Sequence, residues 1–143
     1  LNSVAAGRGL MASWSPDGKL AVISKSGAAG RTITSYLADP TGKLLANLDL
    51  NILPVKCLVA EPQTYCALPQ SYSAPQEPNL PDDYLKRAVY SKDFIYLIDT
   101  QKNSLEPVWI ALDPTIDATR LSKIQNQLFF VNRYDDKLYS LEI

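Results

Sequence analysis

A chain of 143 residues with 46% hydrophobic and 20% charged content has the size and balance of a single globular domain able to bury a core. Its formal net charge of −1 supplies no field for nucleic acid or an anionic membrane surface. Its apolar runs stop well short of the ~20 residues a membrane helix needs, so no membrane span is expected.

The absence of histidine and the presence of only two cysteines remove the usual Ser-His and Cys-His nucleophile pairs and a structural zinc site. Catalysis here would rest on carboxylate, lysine or tyrosine chemistry. No cofactor, metal ligand set or catalytic residue stands out, and the composition points to a binding or structural module. Leu1 opens the chain without a Met or a basic leader, so an upstream segment is expected.

Residues 1–9, small and glycine-containing, read as a loose lead-in or an edge strand. Leu10–Trp14 then forms an apolar strand, Pro16-Asp17-Gly18 reverses it, and Leu20–Ser24 returns. Proline presets φ at the first central turn position, while Asp and Gly tolerate the conformations that follow. A glycine-rich loop at 25–31 leads to Arg31–Leu37, whose Ile33 and Leu37 alternate with polar residues. Asp39–Lys43 turns the chain into Leu44–Leu50, completing four short strands of antiparallel character.

The pattern restarts at Val55–Ala60, turns through Glu61-Pro62-Gln63, and runs on through Thr64–Leu68. Residues 69–90 interrupt it. Pro69, Pro75, Pro78 and Pro81 cannot donate to a sheet ladder, so this stretch is predicted to be an excursion. Within it Asp82 or Asp83 is placed to N-cap a short helix ending near Arg87. Strands resume at Phe94–Asp99 and Leu105–Leu112. A third group follows: Ala118–Ile124, a Gln125-Asn126 turn, Gln127–Asn132, a Tyr134-Asp135-Asp136 turn and Lys137–Ile143.

Four, four and three strands at a repeat of about 40 to 45 residues match the period of β-propeller blades, with a β-sandwich as the alternative. The predicted fold class is all-β, with about three antiparallel blades over residues 10–50, 55–112 and 118–143 and a Pro-rich insert at 69–90. The Ser13-Trp14-Ser15-Pro16-Asp17-Gly18-Lys19 hairpin resembles the repeat of TolB-type and WD-like bacterial β-propellers. Ile95–Asp99 is similar to the outer strands of the same family. Lys56-Cys57, Tyr65–Pro69, Leu80–Tyr84 and the ending Lys137–Leu141 are similar to uncharacterised exported bacterial propeller proteins. The chain departs from that pattern where Glu61-Pro62-Gln63 and Gln125-Asn126 replace a turn containing Asp-Gly. The resemblance implies the fold and an extracytoplasmic location far more than an activity, since propellers host many functions.

Closed propellers need four to eight blades, so three imply either a longer parent protein or a homodimer completing a six-bladed ring. Residues 1–6, of the same or a neighbouring chain, are candidates for the missing strand of the last blade. Cys57 and Cys66 lie on the two arms of one hairpin, nearly opposite or offset by one position. They either pack as buried thiols or join across the strands, and the exported character that the resemblance implies favours the disulfide.

Long insertions run over propeller faces, where binding residues usually lie, so the insert is the best functional candidate. Tyr72, Tyr84, Lys86, Arg87 and Tyr90 are its expected partner-binding residues, against the alternative of an insert that merely caps an edge. Trp14 and Trp109 are expected to fill space between blades. Asp135-Asp136 reads as turn chemistry, and Arg31, Arg120 and Arg133 are scattered residues that a propeller can gather at one rim. The leading functional expectation is a non-enzymatic scaffold that binds a protein partner through face loops. The alternative is a portion of a propeller enzyme or gating domain acting on glycans or peptides, without the Gly-x-Ser-x-Gly elbow of a hydrolase.

Overall fold

The computed structural model describes residues 1–28, 30–73, 77–110 and 113–143. Position 29 of the glycine-rich loop, 74–76 of the insert and the end of the predicted strand at 111–112 lie outside the described residues. The chain forms three antiparallel sheets of four, four and three strands, each with its strands in chain order. The first holds β1 (Met11–Trp14), β2 (Ala21–Ser26), β3 (Ile33–Ala38) and β4 (Leu44–Leu48). The second holds β5 (Cys57–Leu58), β6 (Gln63–Tyr72), β7 (Ser91–Asp99) and β8 (Ser104–Trp109). The third holds β9 (Ala118–Ile124), β10 (Gln127–Asn132) and β11 (Lys137–Glu142).

The turns follow from local polar chemistry. At the first hairpin Ser15 Oγ donates to Asp17 Oδ1 at 2.6 Å and accepts from the Leu20 amide at 3.0 Å. Gly18 takes φ 71°, the left-handed value that glycine adopts without strain. Asp39 does the same work between β3 and β4, accepting at Oδ1 from the Thr41 and Lys43 amides at 2.8 and 3.0 Å. Asp99 and Asp135 repeat the device at the β7–β8 and β10–β11 turns.

Strand parity sets how the sheets stack, and β2 and β6 are buried on both faces over Ala21–Ser24 and Thr64–Leu68. Leu20, Val22 and Leu37 of the first sheet pack against Cys66, Leu68 and Ile98 of the second. The opposite face of the second sheet, through Tyr65, Ala67 and Ile95, packs against Leu121, Leu128 and Phe130 of the third. Each of the leucine, isoleucine, valine and phenylalanine side chains among them contributes about 1.5–3 kcal/mol by leaving water, so these two layers hold the molecule together. The first strands also adjoin: β1 touches the 3-10 turn Pro54–Lys56, and that turn and β5 touch β9.

Several expectations are corrected. The second sheet opens with a 3-10 turn and a two-residue strand rather than a continuous strand from Val55. Strand β6 runs through Pro69 to Tyr72 instead of ending at Leu68. Pro69 sits where the β6–β7 register shifts, a position in which a missing amide is tolerated. The helix is shorter than predicted, Asp82–Leu85 (α1), and Pro81 rather than an aspartate occupies its N-cap. Asp83 instead accepts the Asn79 amide at 2.8 Å, closing the preceding turn. Trp14 is 41% exposed. Ser13 pairs with Val22 on the face turned to the second sheet, so Trp14 projects from the opposite face, beside Ala21. Residues 1–6 do not extend the third sheet in this chain. Ala5 packs on Ala21, Ile23 and Ala38 of the first sheet, and Val4 lies against Gly42.

Candidate functional site

Cys57 and Cys66 face each other in register across β5 and β6, with Cα atoms 4.2 Å apart, and form a disulfide. The bond closes the two strands just after Lys56, the residue on which the centre of the molecule is organised.

Lys56 is fully buried and carries its ammonium into a group of polar side chains drawn from distant parts of the chain. Its Nζ lies 2.6 Å from Asp93 Oδ2 and 2.6 Å from Asp117 Oδ1, and donates to Ser91 Oγ at 2.9 Å and Tyr84 OH at 3.0 Å. Tyr84 OH in turn donates to Asp117 Oδ1 at 2.8 Å. The other oxygen of Asp117 accepts from the Ser91 amide at 3.1 Å and from Arg133 Nη1 at 3.2 Å. Arg133 Nη2 donates to the Tyr84 carbonyl at 3.0 Å, and the guanidinium lies 3.9 Å from the centre of the Tyr84 ring and 5.1 Å from that of Tyr90. Two cations thus meet two carboxylates in a space closed to solvent, the condition under which buried charges persist.

Local structure explains why these residues converge. The 3-10 turn ends at Lys56 and directs it inward. Asp93 Oδ2 accepts the Ala118 amide at 2.7 Å, so a backbone donor of β9 fixes the carboxylate of β7, while the Ser91 amide of β7 donates to Asp117 and Asn132 Oδ1 accepts the Asp117 amide at 2.9 Å. Burial alone would strip the proton from Lys56. Asp93, the Tyr84 hydroxyl and Asp117 outweigh that penalty and hold it protonated well above the ordinary lysine range. Burial pushes the Asp93 carboxyl up, opposed by Lys56. Burial also raises the Tyr84 and Tyr72 hydroxyls. The Tyr72 hydroxyl and Asp93 Oδ1 are buried without a hydrogen-bond partner.

Beside this network opens a cavity of about 500 Å³. Its apolar walls come from Val55, Leu85 and Val131; its polar ones include Arg87, Arg120 and Arg133, with Asp136 at the rim. Arg87 Nη2 pairs with Asp136 Oδ1 at 3.3 Å, and Arg133 is held by Asp117. Arg120 is the one cation of the cavity walls without an ion-pair partner among the described residues.

Compared with protein-family models, curated proteins and solved structures, the chain matches none of them.

The residues predicted to bind a partner separate in the structure. Tyr84 is 3% exposed and belongs to the buried network, lines the inner wall of the cavity and packs with Leu80 and Val89 of the insert. Tyr72 packs on the same cluster, its hydroxyl buried. Lys86 and Arg87 are exposed, and Arg87 lines the cavity. Half-buried Tyr90 stacks on Tyr134 with ring centres 5.3 Å apart. Of the three scattered arginines, Arg120 and Arg133 meet at the cavity, whereas Arg31 pairs with Glu77 elsewhere on the surface. Trp109 packs at the edge of the layer between the second and third sheets. Lys56, Asp93 and Asp117 were not singled out by sequence reasoning. The available signal was a lone charge inside an apolar run, as in Val55-Lys56-Cys57-Leu58-Val59 and Ile116-Asp117-Ala118. Among the described residues no group of three or more carboxylates and cysteines is arranged to hold a metal ion.

Proposed function

We propose that the chain is a β-propeller segment of the TolB-like kind that works as a non-catalytic scaffold, holding a protein partner on the face where the second and third sheets meet. The propeller reading is supported by three sheets stacked in chain order with their first strands adjoining. The scaffold reading is carried by one observation: among the described residues the two central cations and Asp117 are all engaged with one another. The Lys56 ammonium is surrounded by four oxygen partners, and both Asp117 oxygens accept two donors each. Asp93 Oδ1, the carboxylate oxygen of the network without a hydrogen-bond partner, is buried and does not line the cavity, whereas Arg133 is held by Asp117 at the cavity wall.

The disulfide favours an oxidising, extracytoplasmic setting. No helix among the described residues is long and apolar enough to cross a membrane. The outward side of the third sheet carries Leu138, 68% exposed, in register with Val131, and is where a further blade would stack, from a longer parent or a second copy.

The scaffold reading is tested by assaying the purified chain against glycoside, ester and peptide substrates. Turnover no greater than in buffer is expected. Turnover that Tyr84→Phe abolishes while the variant remains folded would place chemistry at the network and overturn the reading.

A further inference from the structure

We infer that the cavity between α1 and the third sheet is a receptor for a carboxylate carried on an apolar body, of which the C-terminal end of a peptide is the best fit. The inference rests on the scaffold reading and names what its binding face recognises.

Arg120 lies in β9 at a register shift: Ser122 pairs with Phe129 and Thr119 with Val131, so Arg120 and Leu121 together oppose Phe130 alone. The extra residue is a β-bulge, a device that re-aims a side chain. Arg120 takes φ 55° in it. Arg87, just beyond the C-terminus of α1, takes φ 58° in the position where helices usually place glycine. Glycine would satisfy the backbone at both points with less strain, yet each carries an arginine, and both side chains line the same cavity. Strained backbone gathered round one cavity is the pattern of a ligand site.

The charges select the ligand. Arg133 is neutralised by Asp117 and Arg87 by Asp136, which leaves Arg120 with a planar fork suited to a carboxylate. A phosphomonoester brings nearly two negative charges and would meet Asp136 at the rim. A bare anion would also leave most of the cavity unfilled, since a volume of about 500 Å³ is that of a small-molecule pocket. Val55, Leu85 and Val131 offer apolar surface for the body that bears the acid.

The test is calorimetric titration of the intact chain with N-acetyl-dileucine as the free acid, with its C-terminal amide and with inorganic phosphate. The free acid is expected to bind at least about tenfold more tightly than the amide, the difference made by one charge-assisted pair, and more tightly than phosphate. Arg120→Gly is expected to lose the same factor while its melting temperature is unchanged or higher, an outcome that a merely structural arginine cannot produce. Should that variant fail to fold, Arg120→Gln provides the same comparison, and Lys43→Gln, in the β3–β4 turn and outside the cavity, should bind as the parent does. Equal binding of acid and amide, no binding of either, phosphate binding as tightly as the acid, or undiminished binding in both Arg120 variants would overturn the inference. None of these results bears on substrate turnover, so this inference and the scaffold reading fail separately.

Discussion

Lys56 carries a full charge into the least accessible part of the molecule, where desolvation costs several kcal/mol and is offset only by its partners. Lys56→Met is therefore expected to destabilise the fold by about 3–5 kcal/mol, because it leaves Asp93 and Asp117 buried with too little compensation. Tyr72→Phe, at a residue paired in register with Ser91 of the same network, should do the reverse. It removes a buried hydroxyl with no partner and is expected to be neutral or to stabilise by up to about 1 kcal/mol. Urea unfolding midpoints of the two variants check both signs. Neither effect is legible from the sequence. Tyr84 and Tyr72 read there as amphipathic surface residues of a proline-rich insert, because the cluster that buries them, with Ile33, Leu53, Leu80 and Val89, exists only after the insert folds back. Arg133 likewise reads as one of several scattered cations, because Asp117 and the Tyr84 and Tyr90 rings that surround it are distant in sequence.

At the level of turns and strands much more was legible, because these are set by neighbours in sequence. The hairpins at Asp17, Asp39 and Asp135 lie where proline, glycine and aspartate place them, and the one at Gln125-Asn126 where two polar residues part apolar strands. The departures arise where a long-range partner decides, as when β7 extends β6 past Pro69. The turn aspartates also make a prediction. Hydrogen bonds from the Ser15, Thr41 and Tyr139 hydroxyls, together with nearby backbone amides, hold Asp17, Asp39 and Asp135 below the usual carboxylate range. A folded-state value below the unfolded one, about 3.9, gives stability that is present above it and lost as pH falls through the folded values. Buried Asp93 is shifted upward, so its protonation favours the fold and offsets part of that loss. Urea midpoints measured from about pH 6 down to about pH 3 should fall, and should fall less steeply in Asp39→Asn, which can no longer ionise.

Over the whole molecule, the second sheet is covered on both faces while the first and third are each covered by it on one. The first sheet is partly screened on its other side by the lead-in around Ala5. The third leaves Leu138 and Ile124 more than half exposed. Exposed apolar sheet surface promotes association, so the molar mass from light scattering should rise with concentration and return to the monomer value in Leu138→Glu; a concentration-independent monomer in the parent chain would exclude a homodimeric ring. The ionic centre has a consequence for how the layers come apart. Lys56 precedes the second sheet, Asp93 lies within it, and Asp117 stands 61 positions beyond Lys56 at the threshold of the third. Peeling the third sheet away withdraws one of the two anions and strands the ammonium with the other. Repeat proteins held by nearest-neighbour apolar contacts lose their units one at a time. Here a shared electrostatic account binds the second and third layers into one cooperative unit, so the chain surrenders them together or not at all.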